Sequence, residues 1–333
     1  MTTARRVHLA ARPVGLPDDS TWDVRDTELD DPAEGEVLVR TTHLSLDPAM
    51  RGWINDVRSY VPPVQIGEVM RAFGAGTVLA SRHPDLREGD TVTGTFGAAT
   101  HAVVPGDELT KIDLEVASAA TWLGALGMPG MTAWFGLFDV ARAQPGETVV
   151  VSGAAGAVGS VVGQLAKAKG CRVVGIAGGP EKCTWLTDEL GFDAAIDYRE
   201  GPVHRALRSV APDGVDVYFD NVGGEMLDSV LRCLRLGARI AICGAISTYN
   251  ATEPQPGPAH YMSLLVNRAS MAGFLVFDYE DRYPEAVADI SARIADGSLI
   301  AREHVVPGGV DAFGDALLML FSGANTGKLV LEV

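Results

Sequence analysis

The sequence predicts an α/β protein in which a β-rich first part precedes a doubly wound parallel sheet. Residues 1–115 contain Val- and Thr-rich segments bounded by turn sequences such as DPAEG and HPDLREGD. After Pro145-Gly146, short apolar segments alternate with helical stretches of about ten to fifteen residues. That alternation is typical of parallel strands joined by helices that cover both faces of the sheet.

The individual elements follow in order along the chain. In the first part the predicted strands lie within 36–46, 74–81 and 90–105. In the second part the six predicted strands are 148–153, 171–178, 194–198, 215–221, 238–246 and 270–277. Predicted helices near 157–169 and 180–191 separate the first three of these strands. The C-terminal residues REHVVPG and GKLVLEV are again strand-like, and we expect them to rejoin the first part. The predicted domains are therefore 1–124 with 302–333, and 125–301.

Composition and charge exclude several classes of protein. The 43 acidic and 27 basic residues give a net charge of −16, and the basic residues are scattered, which argues against a nucleic-acid partner. The four cysteines form no Cys-x-x-Cys pair, and we expect a reducing, cytoplasmic location without a signal peptide. Residues 117–138 carry no charge, but five glycines and prolines interrupt them, so we expect no membrane span.

A glycine-rich turn is the sharpest local signal. In TVVVSGAAGAVGSVVGQLAKAKG, a predicted strand leads through Gly153, Gly156 and Gly159 into a predicted helix. A pyrophosphate binds at a helix N-terminus, where unpaired N–H groups favour anions and side chains would hold it away. Ala154 occupies the usual first-glycine position, and a tight turn without a ligand is the alternative interpretation. The strands on both sides of the turn favour a dinucleotide site.

The end of the next predicted strand indicates which nicotinamide cofactor is bound. It reads Ala177-Gly178-Gly179 and lacks the acidic residue that would accept hydrogen bonds from the ribose of NAD. Glycines leave room for a 2′-phosphate, and Lys182 supplies a cation for it. The alternative interpretation is that Lys182 is a solvated helix residue that binds no phosphate and whose charge Glu181 neutralises. The sequence therefore predicts NADP.

Motifs along nearly the whole chain carry a family resemblance. The chain is similar to the zinc-independent branch of the medium-chain dehydrogenase/reductase family, which contains prostaglandin reductases, plant alkenal double-bond reductases and bacterial curcumin reductases. The resemblance implies a chaperonin-10-like β-rich domain followed by a Rossmann nucleotide-binding domain. The matching segments include LSLDPAMRG (44–52), LGMPGMTAWFGL (126–137), DELGFDAAIDYR (188–199), FDNVGGEMLD (219–228), CGAISTYN (243–250), GFLVFDY (273–279) and NTGKLV (325–330).

The resemblance also implies roles for particular residues around NADPH. The pyrophosphate is implied to contact Ala155, Gly156, Ala157 and Val158, and the 2′-phosphate region to contact Lys182 and Tyr198. Asn221 is implied to lie beside the adenosine, and the nicotinamide to lie near Thr132, Phe274, Leu275 and Val276. The residues implied to line the cofactor are Cys243, Gly244, Ala245, Ile246, Ser247, Thr248 and Tyr249. Asn325 is implied to reach over from the C-terminal strand.

One departure from the family pattern concerns the substrate pocket. The family commonly reads Asp-Pro-Tyr-Met-Arg, whereas this chain has Ala49 after Asp47-Pro48. A methyl group in place of an aromatic ring predicts a broader pocket that accepts bulky enones and binds small enals weakly.

The sequence also departs from the zinc-dependent relatives. Those enzymes ionise an alcohol on a metal held by Cys, His and a further side chain. Here the first ligand region, THLSLDPAM, has no cysteine, and Gly67-Glu68-Val69 stands where Gly-His-Glu is expected. His43 and His101 are conceivable substitutes, but an isolated histidine in a strand-rich segment is more often structural. We therefore expect no metal.

Reduction of a conjugated double bond fits a site without zinc. Hydride transfer to the β-carbon of an α,β-unsaturated aldehyde or ketone produces an enolate, which a hydrogen-bond donor stabilises. Tyr249 is the candidate donor, directly or through the ribose hydroxyl, because a phenol with a pKa near ~10 stays protonated. The alternative is that Tyr249 only orders the ribose and the following loop.

Three functions are consistent with the sequence. The first is an NADPH-dependent enal and enone reductase, the second is a quinone reductase, and the third is a nucleotide-binding protein without turnover. The apolar segment SMAGFLVF ends the predicted sheet in sequence, and an exposed strand edge invites pairing with a second copy. We therefore expect a homodimer formed through the nucleotide-binding domain, as the resemblance also implies.

Overall fold

The computed structural model describes all residues from Met1 to Val333. The chain divides into two units, Met1–Gly124 with Glu303–Val333, and Ala125–Arg302. The first unit contains two β-sheets with few helices, whereas the second contains one parallel sheet with helices between its strands. The predicted fold class, a β-rich domain and a doubly wound α/β domain, is confirmed.

The N-terminal part of the first unit is built from seven strands and two short helices. The strands are β1 (Thr2–Leu9), β2 (Trp22–Leu29), β3 (Glu36–Ser45), β4 (Phe73–Ser81), β5 (Thr91–Thr95), β6 (His101–Pro105) and β7 (Thr110–Lys111). The helices are α1 (Met50–Trp53) and α2 (Ala119–Leu123). Strands β1 and β2 form an antiparallel pair, while β3 pairs with both β4 and β6 in the larger sheet.

The second unit alternates strands and helices. After α3 (Met128–Phe135) come β8 (Thr148–Ser152), α4 (Ala157–Ala168), β9 (Arg172–Ala177), α5 (Pro180–Thr184), β10 (Ala194–Asp197), α6 (Val203–Val210), β11 (Val215–Asp220), α7 (Gly224–Leu231), β12 (Leu234–Ile242), α8 (Met262–Val266), β13 (Ser270–Gly273) and α9 (Tyr283–Ala295). The strand order is β10-β9-β8-β11-β12-β13, and every neighbouring pair is parallel.

The strand order reverses between β8 and β11. From β8 the chain builds outward through β9 and β10, then returns to place β11 on the other side of β8. The loops that leave the carboxyl ends of β8 and β11 therefore diverge, which opens a crevice where doubly wound sheets bind their ligands. All residues of β8 are buried, as expected for a central strand covered on both faces.

The chain finally returns to the first unit. Strand β14 (Glu303–Val306), helix α10 (Phe313–Ser322) and strand β15 (Lys328–Glu332) complete it, and β15 pairs in parallel with β14 and antiparallel with β3. The Lys328 Nζ donates to Asp47 Oδ1 at 2.7 Å and to the Leu46 carbonyl at 2.8 Å. The Ser45 hydroxyl donates to the second oxygen of Asp47. These contacts form a buried ion pair between β15 and the turn after β3.

Two strands end four residues earlier than the sequence predicts, at Ile242 and Gly273. The segment 238–246 leaves the sheet after Ile242, and 270–277 leaves it after Gly273. Strand β13 pairs only with the last four residues of β12, so it ends where its partner ends. Beyond it the chain turns, with the Asp278 N–H donating to the Leu275 carbonyl at 3.1 Å. The uncharged segment 117–138 forms short helices, and every helix is too short or too polar to reach across a bilayer.

Candidate active site

The carboxyl edge of the parallel sheet gathers most of the residues that the sequence analysis selected. The positions follow one strand end after another: the glycine-rich turn follows β8, Tyr198 follows β10, Asn221 follows β11, Cys243 to Tyr249 follow β12, and Phe274 follows β13. Lys182 lies in α5, directly after β9. Since all these strands are parallel, their loops lie along one edge.

The backbone of the glycine-rich turn fits a pyrophosphate. Helix α4 begins at Ala157, and the N–H groups of Ala157 and Val158 lie in its first turn, where no intrahelical acceptor exists. A Cβ atom added to Gly159 would lie only 2.4 Å from the Gly153 carbonyl oxygen, so the turn closes only with glycine there. The helix N-terminus and its exposed donors therefore suit an anion.

The alanine at the usual first-glycine position has a structural explanation. Ala154 is fully buried, and its N–H donates to the Ile176 carbonyl at 3.0 Å. Its methyl group packs beneath the turn, 3.0 Å from where a Cβ on Gly175 would lie. The Ala154 methyl group therefore packs against β9.

A buried carboxylate that the sequence analysis missed joins β8 to β11. The Asp220 Oδ1 accepts hydrogen bonds from the hydroxyls of Ser152 at 3.0 Å and Tyr218 at 2.7 Å, and from the N–H groups of Val222 and Gly223. The Asn221 amide donates to the Ser152 carbonyl at 2.7 Å. These bonds fix the two strand ends that border the crevice. The only sequence signal was a carboxylate directly after the apolar residues VYF of β11.

Lys182 and Tyr198 lie close to the tip of β9. The Tyr198 ring packs on Gly178, with its hydroxyl 2.8 Å from the position of an added Cβ, and the residue is 46% exposed. Burial and the nearby charge of Arg199 lower the pKa of Lys182. No carboxylate ends β9 itself. Asp197, at the end of β10, instead accepts the Gly179 N–H, which helps to lower its pKa.

The segment after β12 turns back over the edge of the sheet. The N–H groups of Cys243 and Gly244 both donate to the Asp220 carbonyl, at 2.9 and 3.1 Å. The Ser247 hydroxyl donates to the Val222 carbonyl at 2.6 Å. The Tyr249 hydroxyl accepts the Ala245 N–H at 3.2 Å, so the ring folds onto its own turn. This contact fixes the phenolic oxygen beside the carboxyl end of β12.

The Cys243 thiol stays protonated at neutral pH. Burial and the neighbouring Asp220 carboxylate raise its pKa to about 12. A neutral thiol is a poor nucleophile. Cys243 is therefore not a candidate nucleophile.

The remaining predicted residues lie on α3, directly after β13 or in the first unit. The Thr132 hydroxyl, on α3, donates to the Met128 carbonyl at 2.7 Å. The Phe274 ring makes an edge contact with Phe219, at 6.2 Å between centroids. Asn325 belongs to the first unit, where its amide donates to the Gly327 carbonyl at 3.0 Å. Their contacts with NADPH remain predictions from the resemblance.

Ala49 and the two histidines considered as metal ligands also lie in the first unit. Ala49 precedes α1 and packs, half-buried, against the hydrophobic core. His43 contacts the Thr42 hydroxyl at 3.0 Å, and His101 contacts the Thr100 hydroxyl at 3.2 Å. No three His, Cys, Asp or Glu side chains form a group suited to a metal ion.

Comparison with known proteins places this geometry in a family. The family model described as N-terminal domain of oxidoreductase matches residues 5–112, and that described as zinc-binding dehydrogenase matches 157–292. The chain is 41% identical to the NADPH-dependent curcumin reductase of Escherichia coli, covering 99% of this chain and 96% of that protein. It is 39% identical to the NADP(+)-dependent 2-alkenal reductase of Nicotiana tabacum, covering 96% and 94%.

A solved structure resembles the whole chain. CurA from Vibrio vulnificus, crystallised in complex with NADPH, superposes with a TM-score of 0.94 at 42% identity, covering 99% of each chain.

Proposed function

The chain belongs to the zinc-independent branch of the medium-chain dehydrogenase/reductase family, and on that premise we propose that it is an NADPH-dependent reductase of α,β-unsaturated aldehydes and ketones. The carbon–carbon double bond is the bond reduced. The observation that carries this proposal is the Tyr249 hydroxyl, which the Ala245 N–H fixes at the same sheet edge as the dinucleotide turn.

The residues of this chain hold the cofactor by three features of the sheet edge. The first turn of α4 binds the pyrophosphate through the N–H groups of Ala157 and Val158. Lys182 and Tyr198 contact the 2′-phosphate region, and the segment Cys243–Tyr249 lines the nucleotide. When bound, NADPH supplies the hydride that adds to the β-carbon of the substrate.

Tyr249 acts on the charge that develops at the substrate. As the β-carbon accepts hydride, electrons of the double bond move to the carbonyl oxygen, which becomes an enolate oxygen. The Tyr249 O–H stabilises that oxygen by hydrogen bonding, directly or through the ribose hydroxyl. The α-carbon then takes a proton from Tyr249 or from water, which completes the saturated product.

A panel of acceptors tests this function. Purified protein is incubated with NADPH and, in parallel, with small enals, aryl-substituted enones and quinones, and products are identified by mass spectrometry. Saturated aldehydes or ketones that retain the carbonyl support the proposal. Turnover of quinones alone indicates a quinone reductase, and NADPH binding without turnover indicates a nucleotide-binding protein; either result contradicts it.

Cofactor preference is tested separately by titrating NADPH and NADH. A charge-assisted hydrogen bond to phosphate contributes about 1.5–3 kcal/mol, so Lys182→Ala should weaken NADPH binding by about tenfold or more. NADH binding should not change. Equal affinities of the wild-type protein for the two cofactors would contradict the NADPH preference that the glycine-lined end of β9 predicts.

We expect NADPH turnover to survive exhaustive chelation. The chain lacks the thiol and imidazole ligands of the zinc-dependent relatives, and the proposed chemistry places the developing charge on a hydrogen-bond donor. Elemental analysis of the purified protein is the direct measurement. One zinc ion per chain, lost together with activity on chelation, would refute the prediction.

We also expect a cytoplasmic homodimer that pairs through β13. All four residues of this edge strand are exposed, and the adjacent α8 exposes Leu265 and Val266. An unpaired apolar strand edge is satisfied by a second copy across a two-fold axis. Light scattering should give about 70 kDa, twice the 35.1 kDa of one chain, for such a dimer. A mass near that of one chain at micromolar concentration contradicts it.

A further inference from the structure

The turn after β10 lies directly beside the glycine-lined end of β9. In the register of the two parallel strands, Asp197 is opposite Ala177, the last residue of β9. The residues that follow each strand, Tyr198-Arg199 and Gly178-Gly179, therefore leave the sheet side by side. This juxtaposition depends on strand pairing between segments that lie about twenty residues apart in sequence.

The Asp197 carboxylate ties the two turns together. Its Oδ1 accepts the Arg199 N–H at 3.0 Å, and the carboxylate also accepts the Gly179 N–H. Gly179 has a φ of +94°, a conformation that side chains disfavour, so this turn requires glycine. The two backbone hydrogen bonds engage the carboxylate and hold Arg199 next to the glycines.

The Arg199 side chain lies beside the glycines at the end of β9. Its guanidinium carbon lies 5.9 Å from the centroid of the Tyr198 ring. Its Nη1 is 3.5 Å from the position that a Cβ on Gly179 would occupy. A planar guanidinium in this position presents several N–H donors to the space beside the glycines.

A second cation lies near Arg199. Lys182 belongs to the first turn of α5, immediately after Gly179, and the charge of Arg199 adds to burial in lowering its pKa. Two cations held this close repel each other, although the chain as a whole carries a net charge of −16. A dianionic phosphate between them converts that repulsion into two favourable contacts.

We propose that Arg199 is a specificity-determining residue that binds the 2′-phosphate of the cofactor together with Lys182. The inference rests on the proposed use of NADPH and assigns a phosphate contact to a residue to which the family resemblance gives no role. Arg199 contributes a directional, multi-donor contact, and Lys182 contributes a point charge. The alternative is that Arg199 is a solvated side chain stacked on Tyr198.

Calorimetric titration with 2′,5′-ADP and with ADP isolates the 2′-phosphate from the rest of the cofactor. The test variants are Arg199→Gln, which removes the charge, and Arg199→Lys, which keeps it. The matched control is Arg172→Gln, because Arg172 is an exposed arginine at the opposite end of β9. Circular dichroism verifies that each variant is folded.

Arg199→Gln should weaken binding of 2′,5′-ADP about tenfold and change binding of ADP less than about twofold. Arg199→Lys should recover most of the lost affinity, and Arg172→Gln should change neither ligand by more than about twofold. The affinity of wild-type protein for 2′,5′-ADP should fall more steeply with salt than that of Arg199→Gln, because one phosphate contact is lost.

Two results would overturn the inference in different ways. If wild-type protein prefers 2′,5′-ADP but Arg199→Gln keeps its affinity for it, or loses affinity equally for both ligands, Arg199 does not bind the 2′-phosphate. If wild-type protein does not discriminate between the two ligands, the proposed cofactor preference fails, and the role of Arg199 fails with it.

Discussion

Replacing Tyr249 by phenylalanine should lower kcat for enone reduction about 10²-fold, because removal of one well-placed donor to a developing oxyanion costs that order of rate. The phenolic oxygen is held by the Ala245 N–H at 3.2 Å, so the wild-type donor is already oriented before substrate binds. Phenylalanine keeps the ring and its packing. The affinity for NADPH, measured by fluorescence titration, should therefore stay within about threefold of wild type.

A second variant separates donation from packing. A Cβ at Gly244 would lie 2.9 Å from the Tyr249 hydroxyl, so Gly244→Ala should displace the phenol without removing it. Its kcat should fall, because the added methyl group moves the phenolic oxygen away from the position that the Ala245 N–H fixes. If Tyr249→Phe keeps kcat and only raises the Kd of NADPH, Tyr249 orders the ribose and does not stabilise the enolate.

Replacing Lys328 by methionine should destabilise the first unit by about 3–5 kcal/mol, because it leaves the Asp47 carboxylate buried without its cation. Both side chains are almost completely buried, at 3% and 6% exposure, and the Lys328 Nζ also satisfies the Leu46 carbonyl. Native-state hydrogen exchange at Leu44 and Leu331, which face each other across β3 and β15, measures the loss of protection locally.

The controls for this prediction lie in the same unit. Lys111→Met removes a half-exposed lysine that forms an ion pair with Asp90. This change should affect protection at Leu44 and Leu331 far less than Lys328→Met does. The double variant Asp47→Asn with Lys328→Met removes both charges and should recover part of the loss. Unchanged protection in the single Lys328 variant would mean that the pair contributes no net stability.

Periodicity and turn chemistry were sufficient to predict the fold class and the position of the dinucleotide turn. The alternation of buried strands with helices, like the glycine turn between β8 and α4, depends on residues that are close together in sequence. Local patterns are therefore enough to predict both features. Strand ends were predicted less well, because the length of β13 depends on where its partner β12 stops. A strand edge is a property of two segments, and a single segment does not encode it.

The same reason explains which site residues were missed. Lys182 and Tyr249 belong to motifs that can be found in the sequence alone. Asp220 matters because its carboxylate reaches Ser152, and Asp197 because strand register sets it against the end of β9. Arg199 becomes a candidate only because the register of β9 and β10 brings it beside Gly179. Long-range pairing therefore creates the parts of the site that local patterns do not predict.

The buried pair of Asp47 and Lys328 gives the chain a fixed order of assembly during synthesis. The two residues are 281 positions apart, so at roughly 5–20 residues per second the ribosome adds Lys328 about 14–56 s after Asp47. During that interval β3 lacks β15 as its neighbour, while the contiguous segment Ala125–Arg302 is synthesised in full. The nucleotide-binding unit is therefore finished first, and the unit that contains the N-terminus is finished last.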